Sequence, residues 1–341
     1  MGETLSVQGI VGLASAYYGS AVLFAAVELD LFTRIAAAGG SAEAGPLAED
    51  LGADLRGLRL LLDACVATGL LTKTGERYAA TPATAAALVA GAPQDLTRAV
   101  RYNRDVYPAW GRLTELVRTG SPVEAPERHL GADAGRTRRF ALSMHGRALG
   151  IGRGVVPLID LGGCRTLLDL AGGPGTYAVL LAQAHPGLRC VTVDLPEISA
   201  VAAELVREAG MADRVACRPG DYHTDRYEPE AYDAVTIFGA LHQESPERIP
   251  DILRRAAAAL RPGGRIHILD MMTDATHTWP AFSALFAVNM ALTTRDGWVF
   301  SDGELHGWLR EAGFEACETL PVPPPMPHWL VSARKPGYGR Q

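Results

Sequence analysis

The chain has 341 residues, 48% of them hydrophobic, and a formal net charge of −6 at pH 7. This length is typical of two or three compact domains, and the negative charge excludes nucleic acid and anionic membranes as expected partners. We find no apolar run approaching about 20 residues and no signal peptide, so no membrane span is expected. The five cysteines are scattered singly, which is typical of reduced thiols and favours a cytoplasmic protein without a metal site.

The first 100 residues are predicted to be helical and to end in a small hairpin. "AVLFAAVELDLFTRI" and "LRGLRLLLDACVATGLL" have helical periodicity, and Gly75-Glu76 is a candidate hairpin turn. Helices followed by a hairpin form a winged-helix-like pattern, which is found in DNA-binding proteins and in packing or dimer modules. The second helix carries the basic Arg56 and Arg59 but also the acidic Asp54 and Asp63, which favours the dimer module.

The rest of the chain divides into linking helices and an α/β domain. From residue 165 short apolar runs alternate with helices, which predicts a parallel sheet, and "FEACETLPV" and "HWLVSARKP" predict a closing hairpin pair. In the linking helices Tyr107, Met144 and His145 are candidates for a substrate-pocket wall, although the first two are equally typical of a core. The predicted domains are residues 1–100, 101–160 and 161–341.

A glycine-rich loop lies in "LLDLAGGPGTYAVLLAQ", between an apolar strand and an apolar helix. "GPGTYA" fits the pattern G-x-G-x-x-G/A, and Asp194 follows 19 residues after Gly175. Glycines let the backbone approach a nucleotide, and an acidic residue that ends the second strand can hold its ribose. This pattern alone leaves a nicotinamide or flavin cofactor open.

Two other acidic residues favour S-adenosylmethionine. Asp169 precedes the glycines, where a carboxylate would repel a pyrophosphate but could meet a cation, directly or through water. Asp221 follows the third strand and can accept a hydrogen bond from an adenine amino group beside Tyr222. An adenosine with a cationic tail and no phosphates therefore fits best.

These motifs resemble those of the plant and bacterial small-molecule O-methyltransferases that are similar to caffeic acid O-methyltransferase. The resemblance covers nearly the whole chain, and it implies a class I methyltransferase Rossmann-like sheet behind an N-terminal winged-helix-like dimerisation domain. A homodimer is implied as well. The segments that carry the resemblance are "AVELDLF", "LAEDLGADLRGLRLLLDACVATGLL", "RYAATP", "LLDLAGGPGTYAVLLA", "VTVDLPEI", "GDYHTD" and "YDAVTIFGALHQESPERIPDILRRAAAALRPGGRIHILD".

The resemblance also implies roles for matched residues. His242 falls at the position of the general base, and Asp270 at that of the carboxylate that orients it. His242 is expected to end the fourth strand of the sheet and Asp270 the fifth, so the two are neighbours if those strands pair. Ala171 stands where the first of three glycines is usual, and Phe238 where plant relatives have a lysine near adenine, so stacking is expected there. The implied cofactor-binding residues, with Asp169 added from its chemistry, are Gly172, Gly173, Gly175, Asp194, Leu195, Asp221, Tyr222 and Phe238.

The segment 279–300, "WPAFSALFAVNMALTTRDGWVF", is predicted to line the acceptor pocket, with a core or dimer interface as the alternative. Asn289 is a candidate anchor for a polar group, and Phe300 a candidate substrate contact. Bacterial relatives often have G-x-E-R-T near its end, whereas this chain has Val299 and Phe300 there. The acceptor is therefore expected to differ from a plant phenol.

The expected function is methylation of a phenolic hydroxyl on a small aromatic metabolite of secondary metabolism, such as antibiotic biosynthesis. C-methylation of a phenol ring, as in a hydroxyaromatic amino acid, or of an α-keto acid is the alternative, since a phenolate delocalises charge to its ortho carbon. A winged-helix regulator that senses S-adenosylmethionine and a relative that hydroxylates are further alternatives. A metal at His242 and Glu244 is not expected, because their spacing is a weak ligand pattern.

Overall fold

The computed structural model describes residues 4–92, 94–124, 134–324 and 326–338. Its contacts divide the chain into two compact units, Met1–Tyr107 and Pro108–Gln341. The finer division of the sequence into three domains stays a prediction.

The first unit consists of helices and a small antiparallel sheet. The predicted hairpin is confirmed: β2 pairs with β3, and Gly75 turns between them with a φ of 58°. The predicted helix "AVLFAAVELDLFTRI" is broken at Asp30, whose φ is 51°. The helices are α1 Val7–Ser15, α2 Tyr17–Glu28, α3 Leu31–Ala37, α4 Ala44–Leu51, α5 Leu55–Ala67, α6 Pro82–Leu88 and α7 Thr97–Trp110, the last of which continues past the boundary after Tyr107. The strands, in the order β1-β3-β2, are β1 Ser41–Glu43, β2 Leu71–Thr74 and β3 Arg77–Ala80.

The helical stretch Val7–Glu28 contradicts the expectation that no apolar run approaches the length of a membrane span. An 18-residue window within these 22 residues has a mean hydropathy of 1.8, and 11% of that window is buried. By length and composition it could cross a membrane, although core helices and signal sequences share both properties. The expectation was wrong because small residues interrupt the large aliphatic ones and hide how apolar the stretch is on average.

The second unit contains a seven-stranded sheet in the order β6-β5-β4-β7-β8-β10-β9. The first five of these strands run parallel, and β10 pairs antiparallel with β8 and β9. The predicted Rossmann-like sheet and its closing hairpin pair are therefore confirmed. The strands are β4 Thr166–Leu170, β5 Arg189–Asp194, β6 Val215–Pro219, β7 Tyr232–Phe238, β8 Leu260–Asp270, β9 Glu315–Pro321 and β10 Trp329–Arg334. The helices are α8 Leu113–Thr119, α9 Ala134–Val155, α10 Thr176–Ala184, α11 Pro196–Glu208, α12 Ile249–Ala259, α13 Ala281–Thr293 and α14 Asp302–Glu311.

The strand order places a ligand crevice at β4. The chain leaves β4 towards β5 on one side and later returns to β7 on the other, so the connections diverge there. Open α/β sheets bind ligands at such a switch point, outside the carboxyl ends of the strands. Alternate residues of the strands fill two hydrophobic clusters, of which one contains Leu168 and Ile237 and the other Leu167 and Phe238. These buried cores fix the strand ends that carry the site.

Candidate active site

The glycine loop connects β4 to α10 and lies tightly against β5. The Gly172 amide donates a hydrogen bond to the Val193 carbonyl at 3.2 Å. A Cβ atom on Gly172 would lie 1.9 Å from Thr192 Oγ1 and 2.3 Å from Asp169 Oδ2, so no side chain fits. Gly173 and Gly175 have φ values of 56° and 71°, which favour glycine. The loop therefore follows a backbone path at the switch point that requires glycine at Gly172.

Ala171 shares the left-handed conformation of this loop. Its φ is 51°, and an L-residue with a Cβ atom is disfavoured there by about 1–2 kcal/mol. The position is the one where the resembling family usually has glycine. The chain thus keeps the backbone path of the loop despite the substitution.

Asp194 ends β5 beside the loop. Its carboxylate accepts hydrogen bonds from the Gly173 amide at 2.7 Å and the Leu195 amide at 2.8 Å. Burial raises the pKa of Asp194, although these two hydrogen bonds oppose the shift. Leu195, 36% exposed, follows as the residue before α11. A carboxylate in this place can face a ribose, as the sequence predicts.

Asp169 lies inside the sheet beneath the same loop. Thr236 Oγ1 donates a hydrogen bond to it at 2.7 Å, and Thr192 Oγ1 donates another at 3.2 Å. The side chain is buried, and burial raises its pKa to about 7. Its partners are hydroxyl groups rather than a cation.

The charges around Asp169 and Asp194 bear on which nucleotide the loop can bind. Among the described residues, no ion pair joins Asp169 or Asp194 to a lysine or arginine. Buried negative charge without a cationic partner opposes a pyrophosphate and favours a cation. An adenosine with a positively charged tail, as in S-adenosylmethionine, therefore fits the place of Asp169 better than a pyrophosphate does, whereas Asp194 can hold the ribose of either kind of ligand.

Asp221 and Tyr222 follow β6 in a loop that also reaches His223. Asp221 Oδ1 lies 2.9 Å from the His223 amide and 2.8 Å from His223 Nδ1, and its side chain is 41% exposed. The Tyr222 hydroxyl donates a hydrogen bond to Glu244. Phe238, by contrast, packs edge-on against Tyr177 at 5.0 Å in the other hydrophobic cluster. A stacking contact of Phe238 with adenine stays a prediction.

His242 and Asp270 form a buried pair. His242 Nδ1 lies 2.6 Å from Asp270 Oδ1, and the His242 amide donates a hydrogen bond to Asp270 Oδ2 at 3.2 Å. Asp270 ends β8, as predicted, whereas His242 lies in a 3-10 turn, Leu241–Gln243, beyond the end of β7. The predicted neighbourhood of the two side chains is observed because β7 and β8 pair in parallel.

The predicted acceptor residues have different surroundings. Asn289 Oδ1 accepts a hydrogen bond from Trp110 Nε1 at 3.0 Å. Phe300 is fully buried and packs edge-on against Trp298 and Trp308, which is the placement of a core residue. The contacts of Asn289 and Phe300 with an acceptor stay predictions.

The three candidates from the linking helices also have different surroundings. His145 Nδ1 lies 2.7 Å from Thr176 Oγ1, at the start of α10, and lines a cavity of about 280 Å³ with Pro174. Met144 is partly buried on α9. Tyr107 belongs to the first unit, where its ring lies edge-on to Phe24 at 5.6 Å.

Sequence reasoning missed three neighbours of the site. Phe286 lies edge-on to the His242 ring at 5.1 Å, and Glu244 binds His223. His328 precedes β10 and is buried, which lowers its pKa to about 4 and keeps it neutral. The sequence carried a weak signal for one of them, the short spacing of His242 and Glu244, but it pointed to a metal. In the described part of the chain, no group of three or more His, Cys, Asp or Glu side chains could hold a metal ion.

The sheet, the glycine loop and the acidic residue that ends β5 define a class I S-adenosylmethionine-dependent methyltransferase. A profile of the O-methyltransferase domain matches residues 123–315, and a profile of the O-methyltransferase dimerisation domain matches residues 11–90. The chain belongs to the O-methyltransferase family, and its cofactor is S-adenosylmethionine.

Similar proteins cover nearly the whole chain. The 3-hydroxy-5-methyl-1-naphthoate 3-O-methyltransferase of Streptomyces sahachiroi is 32% identical over 96% of this chain and 94% of its own length. The tetracenomycin polyketide synthesis 8-O-methyl transferase of Streptomyces glaucescens is 35% identical over 96% of both chains. The L-tyrosine C(3)-methyltransferase of Streptomyces lavendulae is 29% identical over 95% of this chain and 92% of its own. The crystal structure of human N-acetylserotonin methyltransferase in complex with SAM has a TM-score of 0.87 and 25% identity, covering 98% of this chain and 100% of that one.

Proposed function

We propose that this enzyme methylates a phenolic hydroxyl group of a small aromatic metabolite, with His242 as the general base. The observation that carries the proposal is the buried pair of His242 Nδ1 and Asp270 Oδ1, 2.6 Å apart, at the carboxyl edge of the sheet. S-adenosylmethionine, when bound, supplies an electrophilic methyl group. The protein's task is then to hold the acceptor and remove its proton.

The pair has the chemistry for proton removal. A phenol has a pKa of about 10, so at neutral pH it is mostly protonated and a poor nucleophile. With Nδ1 of His242 facing Asp270, the other ring nitrogen, Nε2, is the one that can accept the phenolic proton. The Asp270 carboxylate then stabilises the imidazolium and fixes its orientation.

Aromatic side chains beside the base support an aromatic acceptor. Phe286 lies edge-on to His242, and Phe282 stacks on Phe286 with ring centroids 6.5 Å apart. Phe282 is 53% exposed, so this pair of rings reaches from the base towards the surface. A naphthoate and a polyketide appear in the names of two relatives, which supports an acceptor of fused phenolic rings in secondary metabolism, such as antibiotic biosynthesis.

The remaining site residues have roles that are proposed from the sequence and its resemblance to the family. The residues proposed to hold the cofactor are Asp169, Gly172, Gly173, Gly175, Asp194, Leu195, Asp221, Tyr222 and Phe238. The residues proposed to contact the acceptor are Tyr107, Met144, His145, Asn289 and Phe300.

The same proposal includes a homodimer in the cytoplasm. The dimerisation-domain match and the exposed apolar side chains of α1 support a dimer through the first unit, with its helices and β2–β3 hairpin as a winged-helix-like module. The five cysteines are free thiols, which is typical of a reducing compartment.

C-methylation is the second candidate. The relationship to an L-tyrosine C(3)-methyltransferase favours it, because the same deprotonated phenol carries negative charge on its ortho carbon. His242 would act in the same way in both reactions. Only the atom that faces the methyl donor would differ.

Locating the transferred methyl group tests both candidates. The enzyme is incubated with S-adenosylmethionine labelled with carbon-13 in its methyl group and with hydroxynaphthoic acids, hydroxyanthraquinones, L-tyrosine and phenylpyruvate. The carbon-13 shift of the product distinguishes a methyl on oxygen from one on carbon. An O-methylated hydroxyaromatic product is expected, and a C-methylated product alone would establish the second candidate. If the cofactor binds but no acceptor in the panel is methylated, the proposed aromatic acceptor is wrong.

A further inference from the structure

A buried carboxylate links the loop predicted to hold adenine to the turn that carries His242. Glu244 is 4% exposed and lies two residues after His242. Its carboxylate accepts a hydrogen bond from the Tyr222 hydroxyl and lies 2.9 Å from His223 Nε2. Both partners belong to the loop after β6, whereas Glu244 lies in the segment after β7.

The His223 ring extends this connection to Asp221. Its other nitrogen, Nδ1, lies 2.8 Å from Asp221 Oδ1, so the imidazole bridges two carboxylates. The ring also stacks on Tyr222 with centroids 4.3 Å apart. The orientation of the Asp221 carboxylate therefore depends on the same ring that binds Glu244.

The turn itself is held by Trp298 on its other side. The Trp298 amide donates a hydrogen bond to the His242 carbonyl at 2.9 Å, and Trp298 Nε1 donates one to the Glu244 carbonyl at 2.8 Å. With Asp270 bound to the His242 ring, the turn has contacts to three separate segments. The Glu244 side chain connects the turn to the loop after β6, which is the loop predicted to hold adenine.

The charges of the pair support one another. Burial alone would raise the pKa of Glu244, but the hydrogen bonds from His223 and Tyr222 outweigh burial and lower it. The hydrogen bond to Glu244 raises the pKa of His223 against the effect of its partial burial. A buried ion pair contributes little net stability compared with apolar side chains of the same size, but breaking it leaves an unpaired charge. What such a pair provides is a fixed geometry between its two loops.

We propose that Glu244 and His223 are positioning residues that couple occupancy of the adenosine site to the position of the His242 turn. The inference rests on the proposed roles of Asp221 at adenine and of His242 as the base. A ligand that orders Asp221 acts on His223, then on Glu244, and so on the turn two residues away. By reciprocity, loss of the link weakens binding of the adenosine and loosens the turn together.

Binding of S-adenosylhomocysteine to Glu244→Gln and His223→Gln variants tests the coupling without an acceptor. Glu247→Gln, an exposed residue three positions further along, is the matched control for the loss of charge. Calorimetry gives the dissociation constant, and carbon-13-labelled histidine, with the His242 signal assigned from His242→Gln, reports the ring. We expect S-adenosylhomocysteine to shift the His242 signal in the parent and in the control. In the two variants that shift is lost, and the dissociation constant rises about tenfold.

A parental dissociation constant together with a parental His242 shift in Glu244→Gln would overturn the proposal. A lower unfolding temperature with both binding readouts unchanged would likewise reduce the pair to a structural role. If Glu244→Gln fails to fold, His223→Gln provides the same readouts from the partly exposed partner. Failure of the proposed base is separate, because it is detected as methyl transfer at the parental rate by His242→Gln.

Discussion

Two buried aspartates of the site differ in the partners that surround them. Asp270 faces the His242 imidazole, whereas Asp169 receives hydrogen bonds from two threonine hydroxyls. A carboxylate beside an imidazole stabilises the ring once it is protonated. A carboxylate held by hydroxyl groups has no charge to compensate it until a cationic ligand arrives. In the proposed function, the same residue type therefore serves the base in one place and the cofactor in the other.

Replacing Asp270 by asparagine should separate orientation of the base from binding. Asparagine keeps the shape but not the charge, so the imidazolium loses its stabilisation, and we expect kcat to fall by about 100-fold or more. The dissociation constant of S-adenosylhomocysteine should change little. Asp251→Asn, an exposed residue of α12, is the control. Parental turnover in Asp270→Asn would remove Asp270 from the mechanism.

A single methyl group should disable the glycine loop. In Gly172→Ala the new Cβ would overlap Thr192 and Asp169, so the loop must move, and binding of S-adenosylhomocysteine should weaken by at least about tenfold. The control is Gly307→Ala in α14, where nothing lies within 4 Å of the new Cβ and a gain of about 0.5–1 kcal/mol in unfolding free energy is expected. Calorimetry and thermal unfolding measure the two effects. Equal binding by Gly172→Ala and the parent would show that the loop does not hold the cofactor.

At the scale of the elements, the strand ends could be predicted from the sequence and the contacts between distant segments could not. Asp194 and Asp270 close apolar runs, and parallel strands bring their carboxyl ends to one edge, so both positions follow from pattern alone. The bond between Trp110 and Asn289 joins residues 179 positions apart, and no local periodicity encodes it. The segment around Phe300 is apolar on all sides, which is typical of a pocket and of a core alike.

The turn that carries His242 illustrates the same limit. The sequence placed His242 at the end of a strand, whereas a 3-10 turn follows β7 and carries the ring further along the edge. Periodicity defines where a strand exists but leaves its boundary uncertain by a few residues. His242 still lies beside Asp270 because the two residues come at the ends of neighbouring parallel strands, β7 and β8.

The carboxylate within β4 should make stability depend on pH. Burial raises the pKa of Asp169 from 3.8 to about 7, so the folded protein keeps a proton that the unfolded chain releases. The contribution of Asp169 to the unfolding free energy of the parent therefore falls as pH rises from about 4 to about 7. Asp169→Asn lacks this loss and should be more stable than the parent at pH 8 by roughly 1–3 kcal/mol, with a smaller difference at pH 5.

Urea unfolding at both pH values, without cofactor, measures this difference. Asp251→Asn serves again as the surface control and should show no such trend. A difference between Asp169→Asn and the parent that is the same at pH 5 and pH 8 would contradict the assignment of a buried, proton-binding Asp169.

At the scale of the whole molecule, the apolar side chains at the start of the N-terminal stretch are exposed. Ile10, Val11 and Leu13 of α1 are 57%, 59% and 64% exposed, and no residue of α1 is buried. Exposed apolar side chains in such number are typical of an interaction surface. The dimerisation-domain match over residues 11–90 makes a second copy of the chain the expected partner. A membrane is the competing explanation that the composition of Val7–Glu28 leaves open.

Charged substitutions on α1 should dissociate the dimer. Ile10→Glu with Leu13→Glu places carboxylates on the exposed apolar face, and sedimentation equilibrium should show a dissociation constant at least about 100-fold weaker than in the parent. Gln8→Glu adds the same kind of charge at an exposed polar position and should remain dimeric. Flotation with anionic vesicles distinguishes the explanations. A parental dimer in the double variant, or a parent that floats with vesicles, would contradict this use of α1.

The pH dependence of methyl transfer by His242→Gln tests the role of the base most directly. With a phenolic acceptor identified from the panel, the variant should be slower than the parent by about 1,000-fold at pH 7. The difference in rate between the variant and the parent should shrink about tenfold per pH unit towards the phenol pKa near 10, because the phenol then loses its proton to the solvent without the imidazole. A deficit of the same size at every pH, or parental turnover at pH 7, would contradict proton removal by His242.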